Sequence, residues 1–423
     1  MKFWILALAA GILAAQVPAD LLRSQGKALK AKGDAAGALA AFNRAAELGP
    51  NAADLHDEIG FLLAVQGRQQ EAISQFERSI ALNPRYAAAH FHLGVALWLG
   101  KNAELALQSM RQAVRLEPRN AEYRFRFATM LHDSTDDVAA LEQAKAGAAA
   151  APARADLWNL TGQLMQASGD LKGARAAFQK AVDLKPTEAQ YRNHLGFALV
   201  DLGLAREGLT QFQLILKRDP ENRMAQINIG YTYLQTENYD AALTHFEALA
   251  KRYPDQAVIY YDLGLARKQK DQLAEAKVAF RIALGLDPDM AEGYYTLGIT
   301  CWQSGEIDET IAAMRDAIAR RSNYAEAHYM LGTALKQKGE LADAAASLQV
   351  AIRLNPDTPG PYNTLAQIRQ LQGDREGAKS LFAQAAAVKK KLDDSQAERL
   401  RSMGPATRTS LPRRESPGLP LRP

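Results

Sequence analysis

The sequence is poor in the residues on which most chemistry depends. A single cysteine, Cys301, occurs among 423 residues, which excludes an internal disulfide framework and leaves packing to hold the fold. Seven histidines are present, and none forms a ligand set. His90 and His92 stand two apart, about 200° around a helix axis, whereas a metal pair on a helix needs a spacing of three or four. There is no H-E-x-x-H, no G-x-x-x-x-G-K-S/T phosphate loop, no G-x-G-x-x-G and no G-x-S-x-G. No catalytic residue, metal ligand or cofactor site is therefore assigned, and the chain reads as non-enzymatic. Aromatic residues make up only 7%, and beyond residue 15 no stretch is apolar enough to span a membrane.

A strong field of one sign is also missing from the body. The net charge of +4 lies in the last 35 residues, where nine Lys/Arg face four acids. Residues 1–388 are left at −1, which argues against a nucleic-acid or anionic-membrane surface there. What is present is 48% apolar and 23% charged, the composition of a folded protein rather than a disordered one.

At the N-terminus, Met1 and Lys2 precede an apolar run from Phe3 to Ala15. Its length suits the hydrophobic region of a secretory signal and falls short of a span of about 20 residues. Residues 1–19 are expected to be a signal peptide, cleaved after Ala15 or Ala19, with the mature protein exported to the periplasm or envelope. Arg23, Lys27, Lys30 and Lys32 follow the run and resist translocation. An uncleaved N-terminal anchor is the alternative.

The dominant signal is periodic. Pro50, Pro84, Pro118, Pro152, Pro186, Pro220, Pro254, Pro288 and Pro356 fall on a 34-residue grid whose one missing place is Ser322. With proline at position 32, eleven repeats cover residues 19–392 and start at 19, 53, 87, 121, 155, 189, 223, 257, 291, 325 and 359. Position 8 is Gly in nine of them, and position 20 is Ala in nine. Glycine inside a helix costs about 1 kcal/mol against alanine, so its recurrence points to two helix backbones crossing closely. Position 24 is an aromatic filler in seven repeats, among them Phe42, Phe178 and Phe280. Position 15 is often Gly, for example Gly33 and Gly305, marking the turn between two helices that the proline then ends. The fourth repeat departs most: it has Ala128 at position 8, Ala144 at position 24 and a second helix in which half of the residues are alanine.

This pattern resembles the tetratricopeptide repeat family, and the fifth repeat carries it well with Trp158, Gly162, Met165, Ala174, Phe178, Ala181 and Pro186. The resemblance implies an all-α fold, a right-handed α-solenoid superhelix of about eleven 34-residue helix-turn-helix repeats. It also implies a concave groove faced by positions 2, 5, 6, 9, 12 and 13 of each first helix. On those positions stand Phe61, Phe91, Trp98 and Phe125 toward the N-terminus, then Phe197, and then Tyr231, Tyr261, Tyr295, Trp302 and Tyr329 toward the C-terminus. They are the candidate peptide-groove residues, although aromatic residues at positions 5 and 12 are also ordinary in such repeats. Chaperone-tail binders of the family combine Lys at position 5 with Asn at position 9, which no repeat here does. The family's glycosyltransferase superhelix carries a recurrent Asn at position 6, and this chain has only Asn228.

The expected function is a non-catalytic scaffold binding a protein or peptide in the groove, in the bacterial envelope. A self-associating architectural scaffold and attachment to an anionic surface through the tail are the alternatives. Residues 393–403 are expected to extend the last repeat as a capping helix, and 404–423, basic with five prolines, to be disordered.

Overall fold

Position 15 sets how each repeat turns from its first helix into its second. The computed structural model describes residues 18–402, so nearly all of the expected signal peptide and the whole tail from 404 lie outside the described residues. In every repeat, position 15 has a positive φ. Seven glycines take values from 76° to 90°, and Lys101, Thr135, Glu237 and Asp271 take values from 59° to 64°. A left-handed residue with a Cβ is strained by roughly 1–2 kcal/mol, and the β-branched Thr135 most of all. Thr135→Gly is therefore expected to raise stability by about 0.5–1 kcal/mol after the greater flexibility of glycine in the unfolded chain is deducted. A denaturant melt checks this, and a lowered midpoint would contradict it.

The described residues form 22 helices and no strand, two per repeat. The first three repeats pair α1 (Ala19–Ala31) with α2 (Ala35–Leu48), α3 (Ala53–Val65) with α4 (Gln69–Leu82), and α5 (Ala87–Leu99) with α6 (Ala103–Leu116). The next three pair α7 (Ala121–Asp133) with α8 (Asp137–Ala150), α9 (Ala155–Ala167) with α10 (Leu171–Leu184), and α11 (Ala189–Asp201) with α12 (Ala205–Arg218). Then come α13 (Arg223–Gln235) with α14 (Tyr239–Arg252), α15 (Ala257–Gln269) with α16 (Leu273–Leu286), and α17 (Ala291–Gln303) with α18 (Ile307–Arg320). The last two repeats pair α19 (Ala325–Lys338) with α20 (Leu341–Leu354) and α21 (Pro359–Leu371) with α22 (Arg375–Ser402), the latter unbroken to Ser402. The chain divides into two compact parts, Met1–Glu221 and Asn222–Pro423. Among the described residues no helix is long and apolar enough to cross a membrane.

The core of a repeat is a ring seated on a missing side chain. A Cβ built on Gly26, Gly162 or Gly264 would lie 2.5–2.6 Å from the ring of Phe42, Phe178 or Phe280, each of which is essentially fully buried. Where position 8 is alanine, no ring is seated. In the fourth repeat Ala128 faces Ala144, and in the eleventh Ala366 accompanies a Phe382 that is 38% exposed. The alanine-rich α8 is nonetheless well packed, contrary to the impression its composition gives. Ala140, Ala144 and Ala148 are buried, while Tyr123, Phe127, Met130 and Leu131 of α7 supply the bulk. The large side chains have moved from the second helix to the first, and a flat second helix lets them in.

Many successive repeats are clipped together at position 32. The backbone carbonyl there, just past the end of the second helix, accepts a hydrogen bond from position 4 of the next repeat. Two junctions differ, since Tyr260 donates to Ala250 instead of Pro254 and the Pro288 carbonyl accepts from Arg320. Donors of unlike chemistry serve this role: His56 to Pro50 at 3.0 Å, Arg124 to Pro118 at 2.7 Å, Trp158 to Pro152 at 2.9 Å and Tyr362 to Pro356 at 3.2 Å. His90 and His328 do the same toward Pro84 and Ser322. Three of the seven histidines are thereby accounted for as structural donors.

Candidate functional site

The ten aromatic residues singled out from the sequence do not share one environment. In the N-terminal part, Phe91 stacks on Tyr123 at 4.5 Å between centroids, and the Lys30 ammonium sits 4.3 Å from the centre of the Phe61 ring. Phe125 lies 5.3 Å from the Arg154 guanidinium. Phe91, Trp98 and Phe125 are half-buried against one core cluster, and Phe61 belongs to the neighbouring one, with His92 between at 5.5–5.6 Å from both rings. Phe197 is half-buried, edge-on to Phe212 at 5.7 Å. These rings are largely engaged in packing between repeats.

A seam of polar pairs explains why. Position 5 of one repeat meets position 6 of the next: His92 Nδ1 lies 2.7 Å from Asp57 Oδ1, and His194 Nδ1 donates to Asn159 Oδ1 at 2.6 Å. In the C-terminal part the same seam pairs the hydroxyls of Tyr261 and Thr296 at 3.2 Å. Tyr261 is consequently only 6% exposed. Tyr295 is half-buried and packs on Tyr324 at 5.0 Å, and burial raises its hydroxyl pKa. A Cβ on Gly360 would come within 2.8 Å of the Tyr329 hydroxyl, so that ring is engaged as well. Trp302 is half-buried against the same cluster as Tyr295 and Tyr329. The three tyrosines at position 5 are thus unequal, and removing Tyr295 with Trp302 would cost stability as well as surface.

The free chemistry lies next to them, at the ends of the first helices. A cleft of about 580 Å³ opens between the C-terminal turns of α13, α15 and α17 and the starts of α14 and α16, within the 300–1,000 Å³ range common for binding sites. Tyr261 and Tyr295 line it; Tyr231, Trp302 and Tyr329 do not. Half-buried Leu234, Leu265 and Ile299 make its apolar floor. Gln235, Gln269 and Gln303 are exposed along it, and among the described residues their side-chain amides have no hydrogen-bond partner. All three occupy position 13, as does the exposed Gln337 of the next repeat. That recurrence is visible in the sequence, but a search weighted to aromatic residues passes over it. Lys268, at position 12, also lines the cleft.

One trio, Cys301, Glu306 and Glu309, places sulfur and carboxylates within 4.8 Å of one another. Its members already have partners. Lys277 pairs with Glu306, Arg281 pairs with Glu309 at 2.5 Å, and the Cys301 thiol donates to Glu309 at 3.8 Å. Burial first, and then the carboxylates of Glu309 and Glu306, push the thiol up to about 12. The group thus ties α16 to α18 as an ion-pair network around a packed sulfur.

Comparison with known proteins bears on the whole chain. Two models of the tetratricopeptide repeat match it, one at residues 58–121, 195–257 and 295–359 and the other at 155–188 and 257–290. No curated protein matches it in sequence. Among solved structures it is similar to a tetratricopeptide repeat protein from Parabacteroides merdae, at 14% identity over 59% of this chain and 98% of that one, with a TM-score of 0.54. Yeast Tom70 aligns at 14% identity over 90% of this chain and 96% of its own, with a TM-score of 0.50. Both likenesses concern the fold alone.

Proposed function

Because the chain belongs to the tetratricopeptide repeat family, we propose that it is a non-catalytic scaffold that docks a protein or peptide segment in the cleft between α13, α15 and α17. The observation that carries this reading is the row of unpartnered Gln235, Gln269 and Gln303 amides above an apolar floor. An amide side chain both donates and accepts, as a peptide backbone does, so such a row can pair with an extended segment laid along it. The apolar residues beneath contribute affinity through the area they bury, and Tyr295 adds a rigid ring at low entropic cost. Placement at the bacterial envelope rests on the apolar run of residues 3–15, and N-terminal sequencing of fractionated protein tests it. A soluble cytoplasmic product that retains Met1 would remove that part of the reading.

The docking reading is tested by changing the lip alone. Gln235→Ala, Gln269→Ala and Gln303→Ala together alter exposed side chains and are expected to leave thermal melting unchanged. Binding of peptides selected on the full chain should weaken by about tenfold, or about 1.4 kcal/mol. Unchanged affinity would move the docking surface elsewhere.

A further inference from the structure

The end of α15 carries three cations in four residues, and only one of them lacks an acid. Arg267 meets Glu247 at 3.3 Å and Lys270 meets Asp240 at 2.8 Å. Lys268, between them, lines the cleft, and among the described residues no hydrogen bond or ion pair reaches its ammonium. It is half-buried, and desolvation lowers its pKa from the ordinary lysine value. The carbonyl end of its own helix favours a cation there without neutralising it. Partial removal from water with no counter-ion is costly for an ammonium, and an incoming carboxylate relieves that cost.

The acids near the cleft constrain what can enter. Glu237 and Asp271 stand at the two exposed position-15 turns that line it, where most other repeats have glycine, with φ of 59° and 60°. A polyacidic segment would meet their charge along the rim. A segment with one carboxylate directed at Lys268 and uncharged neighbours would not. Building on the docking reading above, we propose that the cleft takes an extended peptide segment carrying a single Asp or Glu. The Lys268 ammonium meets its carboxylate, and Gln235, Gln269 and Gln303 pair with the flanking backbone.

The site differs from the chaperone-tail arrangement, since Lys268 stands at position 12 of its repeat rather than position 5. Binding of such a segment should be only weakly salt-sensitive, to no more than the extent of one ion pair, because the partly buried ammonium is screened less than a surface charge.

The experiment is selection of displayed random heptapeptides on the immobilised full chain, run in parallel on wild type, Lys268→Met, Lys268→Arg and the triple glutamine variant. Methionine keeps the length of the stem without the charge, and arginine keeps the charge. Wild type is expected to enrich peptides with an acid at one fixed position. Changing that acid to its amide in a selected peptide should weaken binding at least about tenfold to wild type and leave binding to Lys268→Met unchanged. Lys268→Arg should retain the acid preference. Peptides that depend on the glutamines but carry no fixed acid, or an acid preference that survives Lys268→Met, would overturn the proposal while leaving the docking reading intact. Absence of enrichment over blank resin, or peptides indifferent to the glutamines, would count against both.

Discussion

Phe280→Ala is expected to destabilise the α15–α16 region by about 3–5 kcal/mol, the usual cost of emptying a fully buried aromatic site. The ring is 0% exposed and fills the hollow left by Gly264, where an added Cβ would fall 2.6 Å from it. Gly264→Ala alone should therefore overpack the crossing by roughly 1–3 kcal/mol. Combined, the two changes should cost clearly less than their sum, because the added methyl enters space that the ring has left. The chain contains that combination already, in Ala128 and Ala144 of the fourth repeat, with the lost bulk returned by Phe127 and Met130. Solenoid repeats open semi-independently, so amide hydrogen exchange in α15 and α16 is the appropriate measurement. Strict additivity would show that ring and glycine are not coupled.

The second large effect follows from pH. Burial lowers His194 from its ordinary 6.5 to about 4, and its Nδ1 donates to Asn159 while the ring packs 5.4 Å from Phe178. Above pH 6.5 both folded and unfolded chains hold the imidazole neutral, and the group adds no pH dependence. Between pH 6.5 and about 4 the unfolded chain takes up a proton that the folded chain refuses, so stability falls as pH falls, levelling off below the folded pKa. The total should be on the order of 3 kcal/mol, concentrated on the α9–α11 seam. His194→Gln, which retains a donor and cannot titrate, should flatten this part of the profile. An unchanged acid limb in that variant would assign the loss to other groups.

The fold was legible in the sequence because its cause is periodic. A glycine and an aromatic recurring on a 34-residue grid can only be a repeated helix crossing, and the structure places Phe42, Phe76, Phe178, Phe212, Phe246 and Phe280 at that crossing. The role of position 4 was not legible, because His56, Arg124, Trp158 and Tyr362 share only a donor at the right reach. Aromatic residues attract attention as binding anchors, yet at position 5 they seal one repeat to the next, which is why Tyr261 is buried. The polar lip was hidden for the opposite reason. Glutamine on a helix is unremarked until Gln235, Gln269 and Gln303 are found along one cleft with Lys268 unpaired among them.

The most direct test of the docking surface is photo-crosslinking from a single residue. A benzoylphenylalanine placed at Gln269, on the lip, is compared with one at Val278, which is 52% exposed on the second helix of the same repeat. Irradiation in the cells that make the protein should give a discrete adduct from position 269, lost on Lys268→Met or competed by a selected peptide, and none from position 278. An adduct from 278 with none from 269 would place the partner on the second helices and contradict the account.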